Sequence, residues 1–288
     1  MLKNIGFLGL GTVGKHMATN LLKGNYNLTI YDSDPTVVAE LVKLGANRAG
    51  SPREAVKGTD AVIHIRPEKE RLRLDIYGPD GIFAGIDPGT ILIDMGTHSL
   101  ESTIEIAEEA AKHRVRFLDA PVWGTKEHAA NGLLTILVGG DQTQLASCRE
   151  LFSFFGLSII HVGGIGDGTR MKFVVNLVQA QLMEALAESI VFGEKLGFSI
   201  EKILEVFDSG GVASPLFHAN GRTISRGDFT RNLALKYVHE HLELVLEQAK
   251  KLGLDLPAGK VVCQNYAQAV ADGRGEEDFS AVVKVLRK

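Results

Sequence analysis

Cysteine is nearly absent from this chain of 288 residues: Cys148 and Cys263 are the only two, and they stand far apart. No C-x-x-C or Cys/His ligand spacing occurs, so a structural zinc module is not expected. Two isolated cysteines also give no disulfide framework. They read as small buried apolar residues in a reducing compartment, and a cytoplasmic protein is expected. Basic charge is not concentrated anywhere, and the net charge is −4. Nucleic acid and anionic membrane are therefore not expected partners. No uninterrupted apolar run approaches the roughly 18 residues of a membrane span, and the first residues already read as strand rather than leader. Tryptophan occurs once, as Trp123. The nine histidines are scattered, and His239 and His241, two apart, face different sides of a helix. No metal is expected. What remains is ordinary globular composition, 45% hydrophobic and 23% charged, with enough apolar material for two domains.

The first fourteen residues carry the strongest signal. Ile5-Gly6-Phe7-Leu8 reads as a buried strand, and Gly9-Leu10-Gly11-Thr12-Val13-Gly14 follows at once. Met17, Ala18, Leu21 and Leu22 then set a helical pattern. Strand, G-x-G-x-x-G and helix make the phosphate-binding turn of a dinucleotide-binding fold. Gly9 permits the tight turn, Gly11 leaves room for a pyrophosphate, and Gly14 lets the helix pack closely. The helix N–H groups meet the negative phosphates. Asp32 ends the next strand pattern, residues 27–31, about 20 residues past the glycines, where a carboxylate accepts from the adenosine ribose hydroxyls. It also repels a 2′-phosphate, and no Arg follows directly, so NAD is expected over NADP. Asp32 as a helix cap is the plainer alternative. Asp34, just before Pro35, suits that task better.

Strand and helix patterns alternate through the first half. Strands are expected at 61–65, 90–94, 116–119, 133–138 and 158–161, with helices at 51–57 and 101–113. The class is α/β, a Rossmann domain with a mostly parallel sheet over residues 1–163. A glycine-rich hinge at 163–168 leads into a second domain, residues 164–288, that is all-α. It opens with one long interdomain helix over 169–196, with apolar residues at Met171, Val174, Val175, Val178, Leu182, Leu186 and Ile190. Shorter helices are expected at 200–208, 215–220, 234–251 and 257–272. Helical domains of this kind share apolar faces, so a homodimer or homotetramer is expected.

Hydride transfer needs a proton donor beside the substrate oxygen and an anchor for the rest of the substrate. Lys172 and Asn176 are four apart and share one face of the long helix. Among Met171, Phe173, Val174 and Val175, Lys172 reads as a desolvated acid with a lowered pKa. A solvated lysine on the helix's outer face reads equally well. Asp119-Ala120-Pro121-Val122-Trp123-Gly124-Thr125 leaves a strand end for a loop, where α/β sheets bind ligands. Gly124 and Thr125 can donate to a carboxylate there, or the segment is a simple turn; Trp123 lines the pocket or merely packs. Thr97 and the Arg66-Pro67 pair lie on the same rim, and Thr97 contacts the cofactor or caps the helix after Ser99.

Taken together and in this order, these segments resemble the β-hydroxyacid dehydrogenase family, nearly end to end. Residues 7–14 resemble its cofactor motif. Asp119–Thr125 resembles its substrate motif D-A-P-V-S-G-G, and Gly166–Asn176 its catalytic motif G-x-G-x-x-x-K-x-x-x-N. Gly273-Arg274-Gly275-Glu276-Glu277-Asp278-Phe279-Ser280-Ala281-Val282 resembles its C-terminal signature. The resemblance implies an oxidoreductase of small hydroxy acids or semialdehydes, with Lys172 as general acid/base and Asn176 holding substrate. It implies cofactor contacts at Thr97, Arg66 and Pro67. Its nearest branches are glyoxylate/succinic semialdehyde reductase and 2-(hydroxymethyl)glutarate dehydrogenase; the former usually takes NADP, against the reading of Asp32. Three positions depart from the pattern. Trp123 replaces a substrate-binding Ser, Gly96 replaces the Ser before Thr97, and Glu240 stands where a cofactor-binding Lys belongs, with Lys236 one turn earlier to compensate. Two further readings follow from these departures, a dinucleotide-binding sensor or scaffold and an imine-type reductase.

Overall fold

The computed structural model describes residues 2–66 and 69–287. The strands are β1 (Asn4–Leu8), β2 (Asn27–Tyr31), β3 (Asn47–Arg48), β4 (Ala61–His64), β5 (Ile91–Asp94), β6 (Arg116–Asp119), β7 (Val122–Trp123), β8 (Leu134–Gly140) and β9 (Gly156–Gly163). They form one sheet in the order β3-β2-β1-β4-β5-β6-β8, with β7 and β9 also paired to β8. Every pairing from β3 to β6 is parallel, β6 and β7 run antiparallel to β8, and β9 is parallel to β8. The strand order reverses between β1 and β4, and ligands bind beyond the carboxyl ends of the strands at such a switch point.

Among the described residues, seven α-helices accompany the sheet: α1 (Gly14–Lys23), α2 (Pro35–Lys43), α3 (Pro52–Val56), α4 (Lys69–Tyr77), α5 (Leu100–Lys112), α6 (Lys126–Ala130) and α7 (Gln142–Ser153). Their starts are written in the sequence. Asp34, Ser51 and Ser99 each accept a backbone N–H as N-caps, the first two with proline at the next position. The central strands are buried on both faces, as parallel strands must be. Ile5, Phe7, Ile63 and Ile93 join one core, and Leu8, Val62 and Leu92 join the other.

The rest of the chain is helical: α8 (Asp167–Lys195), α9 (Ile200–Asp208), α10 (Pro215–Arg226), α11 (Leu235–Lys251), α12 (Pro257–Ala269) and α13 (Val283–Leu286). Two compact units result, one ending at Lys172 and one beginning at Phe173, so α8 runs from the first into the second. The core of the second unit takes Ala180, Met183, Leu186, Ala187 and Ile190 from α8, with Phe217, Leu235, Leu242 and Tyr266 from later helices. Each large apolar side chain buried there contributes about 1.5–3 kcal/mol. By length and composition alone, α8 is the one described helix apolar enough to cross a membrane, although its sequence holds no uninterrupted apolar run of that length. Five of its residues lie in the core just described, while Val174, Val178 and Leu182 on the same helix are exposed.

The C-terminal signature has a structural task. Asp278 accepts from the Asn232 and Leu233 N–H groups at 3.1 and 3.3 Å and from Ser280 N at 3.1 Å, tying the chain end to the entrance of α11. Several elements differ from the pattern expected: β3, α4, α6 and α7 are additional, and the helix expected over 257–272 ends as α12 at Ala269. Residues 122–123 are strand β7 rather than loop, because the segment after Pro121 continues alongside β8. Strand β9 is longer than 158–161. Helix α10 runs past residue 220 to Arg226, where left-handed Gly227 (φ 65°) ends it.

Candidate active site

At the switch point, the Gly9–Gly14 turn has the geometry that a pyrophosphate needs. Gly9 has φ 99°, and a Cβ there would lie 2.1 Å from the Ile65 carbonyl oxygen. A Cβ on Gly14 would lie 2.0 Å from the Gly9 oxygen. Gly11 faces open space, with nothing within 4 Å of an added Cβ. Helix α1 has no side-chain cap at Val13 and no acidic residue in its first turn, which leaves its positive end to an anion. Leu10, Thr12 and Val13 complete this turn. Its glycines and bare helix end therefore fit a dinucleotide's phosphates.

Asp32 stands at the end of β2 with both oxygens oriented. Oδ2 accepts from Leu10 N at 2.6 Å, and Oδ1 from Asp34 N at 2.9 Å. Asp34, not Asp32, caps α2. Arg66, just past β4, is buried. Its Nε lies 2.7 Å from Asp75 Oδ2, its Nη2 lies 3.6 Å from Asp32 Oδ2, and its guanidinium stands over the Tyr31 ring. A cation is thus close to Asp32 after all, but two carboxylates engage it. Pro67 lies outside the described residues. Thr97 is half-buried beyond β5, and the helix-capping role belongs to Ser99.

The second cluster builds around the start of α8. Asp119, the last residue of β6, accepts from Gly166 N at 3.0 Å through Oδ1 and from Thr169 N at 2.9 Å through Oδ2. One carboxylate thereby holds two backbone donors at the entrance of the helix. Burial pushes the Asp119 carboxyl up to about 6 against the pull of those donors, and Asp94 on the adjacent strand raises it further. Close approach here demands glycine. A Cβ on Gly168 would lie 2.5 Å from the Asp119 oxygen, and one on Gly139 would lie 2.3 Å from Asp119 Oδ1. The Thr169 hydroxyl meets Thr103 of α5 at 3.0 Å.

This anchoring sets Lys172 one turn into α8. The side chain is buried, 7% exposed, and Nζ donates to the Val122 carbonyl at 2.7 Å. Loss of hydration lowers its pKa to about 8. The desolvated reading of Lys172 is thus the one realised, and the solvated outer-face alternative is not. Asn176, on the next turn, is buried, and its Nδ2 has no hydrogen-bond partner. Beside Val122, Trp123 is 44% exposed, and Gly124 (φ 146°) can carry no Cβ without meeting Leu134 at 2.7 Å. The Thr125 hydroxyl is engaged: it caps α6 and lies 2.8 Å from His128 Nδ1, which leaves its role toward a substrate to other groups.

Glu240 is half-buried on α11 and close enough to Lys236 for the two charges to interact. Lys236 is itself paired with Glu276 at 2.5 Å.

Sequence reasoning treated Asp119 only as a strand end and passed over His64, Asp94 and His98. His64 and Asp94 sit side by side in the β4–β5 register, and His98 folds back over Asp94. Their ring nitrogens lie 3.3 and 3.2 Å from Asp94 Oδ1. Burial alone would raise the Asp94 carboxyl. The His98 imidazole first, and then the two ring contacts, outweigh it and hold the group well below the usual range. The three residues come from segments up to 34 positions apart, so no spacing pattern marks them. The one available signal was Gly96: a Cβ there would lie 2.3 Å from His98 Nε2.

A doubly wound sheet with a phosphate turn, followed by helices and a buried lysine, defines a class of NAD(P)-linked oxidoreductases. Residues 4–163 match the NAD binding domain of 6-phosphogluconate dehydrogenase, and residues 166–286 match the NAD-binding domain of NADP-dependent 3-hydroxyisobutyrate dehydrogenase. The chain is 34% identical over 282 residues to 2-(hydroxymethyl)glutarate dehydrogenase of Eubacterium barkeri, covering 98% of this chain and 94% of that protein. It is 29% identical over 283 residues to glyoxylate/succinic semialdehyde reductase 1 of Arabidopsis thaliana, covering 98% of each. The solved structure of Mycobacterium tuberculosis 3-hydroxyisobutyrate dehydrogenase with L-serine superposes with a TM-score of 0.89 at 30% identity, covering 100% of both chains. The chain belongs to the 3-hydroxyisobutyrate dehydrogenase-like β-hydroxyacid dehydrogenase family, NAD(P)-dependent enzymes acting on CH–OH groups.

Proposed function

We propose that this protein moves a hydride between NAD(H) and a small β- or γ-hydroxy acid or its semialdehyde, with Lys172 as general acid/base. The observation that carries the reading is the buried Lys172 ammonium, held 2.7 Å from the Val122 carbonyl with its pKa lowered to about 8. Bound NADH supplies the hydride that reduces the carbonyl carbon. Lys172 gives the matching proton to the carbonyl oxygen, and the neutral amine takes it back in the oxidative direction. A pKa near the working pH suits both tasks. Asn176 brings a buried amide N–H without a partner, one turn from Lys172 on the same face, where a substrate oxygen can accept it. The substrate carboxylate is assigned to the backbone donor of Gly124, since both the Thr125 hydroxyl and the Thr125 backbone N–H are engaged by His128. Asp119 keeps α8, and hence Lys172, in place.

The preference for NAD rests on Asp32. Its oriented carboxylate suits ribose hydroxyls and repels a 2′-phosphate, and Asp75 and Asp32 compensate the Arg66 cation. A homo-oligomer is supported by the exposed apolar run Val174, Val178 and Leu182 on α8. NADH oxidation measured with glyoxylate, succinic semialdehyde, methylmalonate semialdehyde and cyclic imines tests the reading. Turnover of an aldehyde acid, preferring NADH and lost in Lys172→Ala, is expected. Equal or better use of NADPH overturns the role of Asp32, and activity that survives Lys172→Ala overturns the mechanism. A second reading, a dinucleotide-binding sensor, draws on Glu240 and on the pairing of Lys236 with Glu276. Tight NADH binding without turnover of any panel member is its signature, whereas turnover of the imines alone marks an imine reductase.

A further inference from the structure

We propose that His64, Asp94 and His98 form a binding site for a divalent transition-metal ion, with Zn²⁺ the ion best suited to the donor set. Two imidazoles and one carboxylate, with one donor atom from each, converge within 4.8 Å of one another. All three residues are buried, with exposures of 0, 3 and 5%. The spacing suits coordination as well as long hydrogen bonds. Hydrogen bonds to a charged carboxylate are short, about 2.7–2.9 Å. Here His64 Nδ1 and His98 Nε2 stand off from Asp94 Oδ1 by 3.3 and 3.2 Å. A tetrahedral ion with bonds of about 2.0–2.1 Å sets its ligand atoms about 3.3 Å apart. The observed distances are therefore those of two edges of a coordination tetrahedron, with water completing the fourth corner.

His64 Nε2 is buried and has no hydrogen-bond partner, so it carries the proton when Nδ1 binds the ion. One feature of the loop fits this assignment: Gly96 gives up a side chain where a Cβ would lie 2.3 Å from His98 Nε2. The loop is thus cut to seat this ring against Asp94. An ion here joins the carboxyl ends of β4 and β5, from which Arg66 and Thr97 enter the cofactor rim.

The test uses full-length protein stripped of metal by chelator. Titration with CoCl₂ is expected to give a visible tetrahedral absorption band saturating at one ion per chain, displaced by Zn²⁺. Zn²⁺ should also raise the melting temperature by mass action. His98→Gln and Asp94→Asn, each checked for native circular dichroism, should weaken binding at least about tenfold. Ring-nitrogen NMR of the wild type gives a readout that needs no variant: His64 Nδ1 and His98 Nε2 should shift on Zn²⁺ addition. Absence of a stoichiometric band together with an unchanged melting temperature overturns the proposal and leaves a hydrogen-bonded triad. Undiminished binding in both folded variants, or unshifted ring nitrogens, overturns it by placing the ion elsewhere.

Discussion

Replacing Lys172 by methionine removes a buried ammonium while keeping most of the side chain's length. In the folded protein this amine has a pKa of about 8, against an ordinary value of 10.5. Between those values the unfolded chain binds more protons than the folded one, so wild-type stability rises with pH. The cost of the buried charge is full below the folded pKa and gone above the unfolded one. Each tenfold loss of proton affinity on burial is worth about 1.4 kcal/mol, so the wild type should gain about 2–3 kcal/mol between pH 7 and pH 10 through this residue alone. Methionine does not titrate. The hydrogen bond to the Val122 carbonyl, worth about 1–3 kcal/mol, is lost in the variant at every pH and offsets the two curves without changing their shape. Urea denaturation of both proteins across that pH range reads the difference directly, because the other titrating groups cancel. Wild-type stability minus variant stability should climb by about 2–3 kcal/mol from pH 7 to pH 10. A difference constant to within about 0.5 kcal/mol refutes the desolvated-lysine argument.

Three further outcomes follow from particular contacts. Asp119→Asn leaves one amide where a carboxylate accepted two N–H groups, which loosens the entrance of α8; kcat should fall about 10- to 100-fold with KM nearly unchanged, as steady-state kinetics will show. Gly96→Ser drives a Cβ toward His98 and should cost about 1–3 kcal/mol by thermal or urea melts. Adding His98→Val should recover part of that loss, and additive effects would show that the ring is not the obstacle. Asp32→Asn keeps the shape of the residue but drops its charge; the ratio of kcat/KM for NADH over NADPH should narrow by about tenfold, and an unchanged ratio removes Asp32 from cofactor selection.

The parts of the fold set by local chemistry were readable in the chain. Gly9 and Gly14 sit where only glycine fits, Asp34 and Ser51 precede prolines, and the alternation of apolar strands with helix patterns gave the doubly wound sheet. Lys172 was readable as a residue but not in its state. An even choice between buried and solvated turned on whether α8 is drawn close to β6 and β8, which depends on Gly139, Gly168 and Asp119 meeting across long sequence separations. Strand β7 was missed because two residues are too few to show a period, and its pairing of Val122 with Ile136 and of Trp123 with Thr135 reveals it. The His64–Asp94–His98 cluster was invisible for the same reason as the Asp119 clamp: strand register, not spacing, assembles it.

The most direct test of the central claim is the pH profile of kcat/KM for NADH-linked reduction of an aldehyde acid that the enzyme turns over. If the Lys172 ammonium delivers the proton, the reductive rate should be level at acidic to neutral pH and fall above a pKa of about 8. The oxidative rate should rise through the same value. In Lys172→Ala both limbs should vanish, with the residual rate about 10²- to 10⁴-fold lower. A break near pH 8 that persists in Lys172→Ala, or a wild-type profile with no break there, contradicts the assignment of the proton to Lys172.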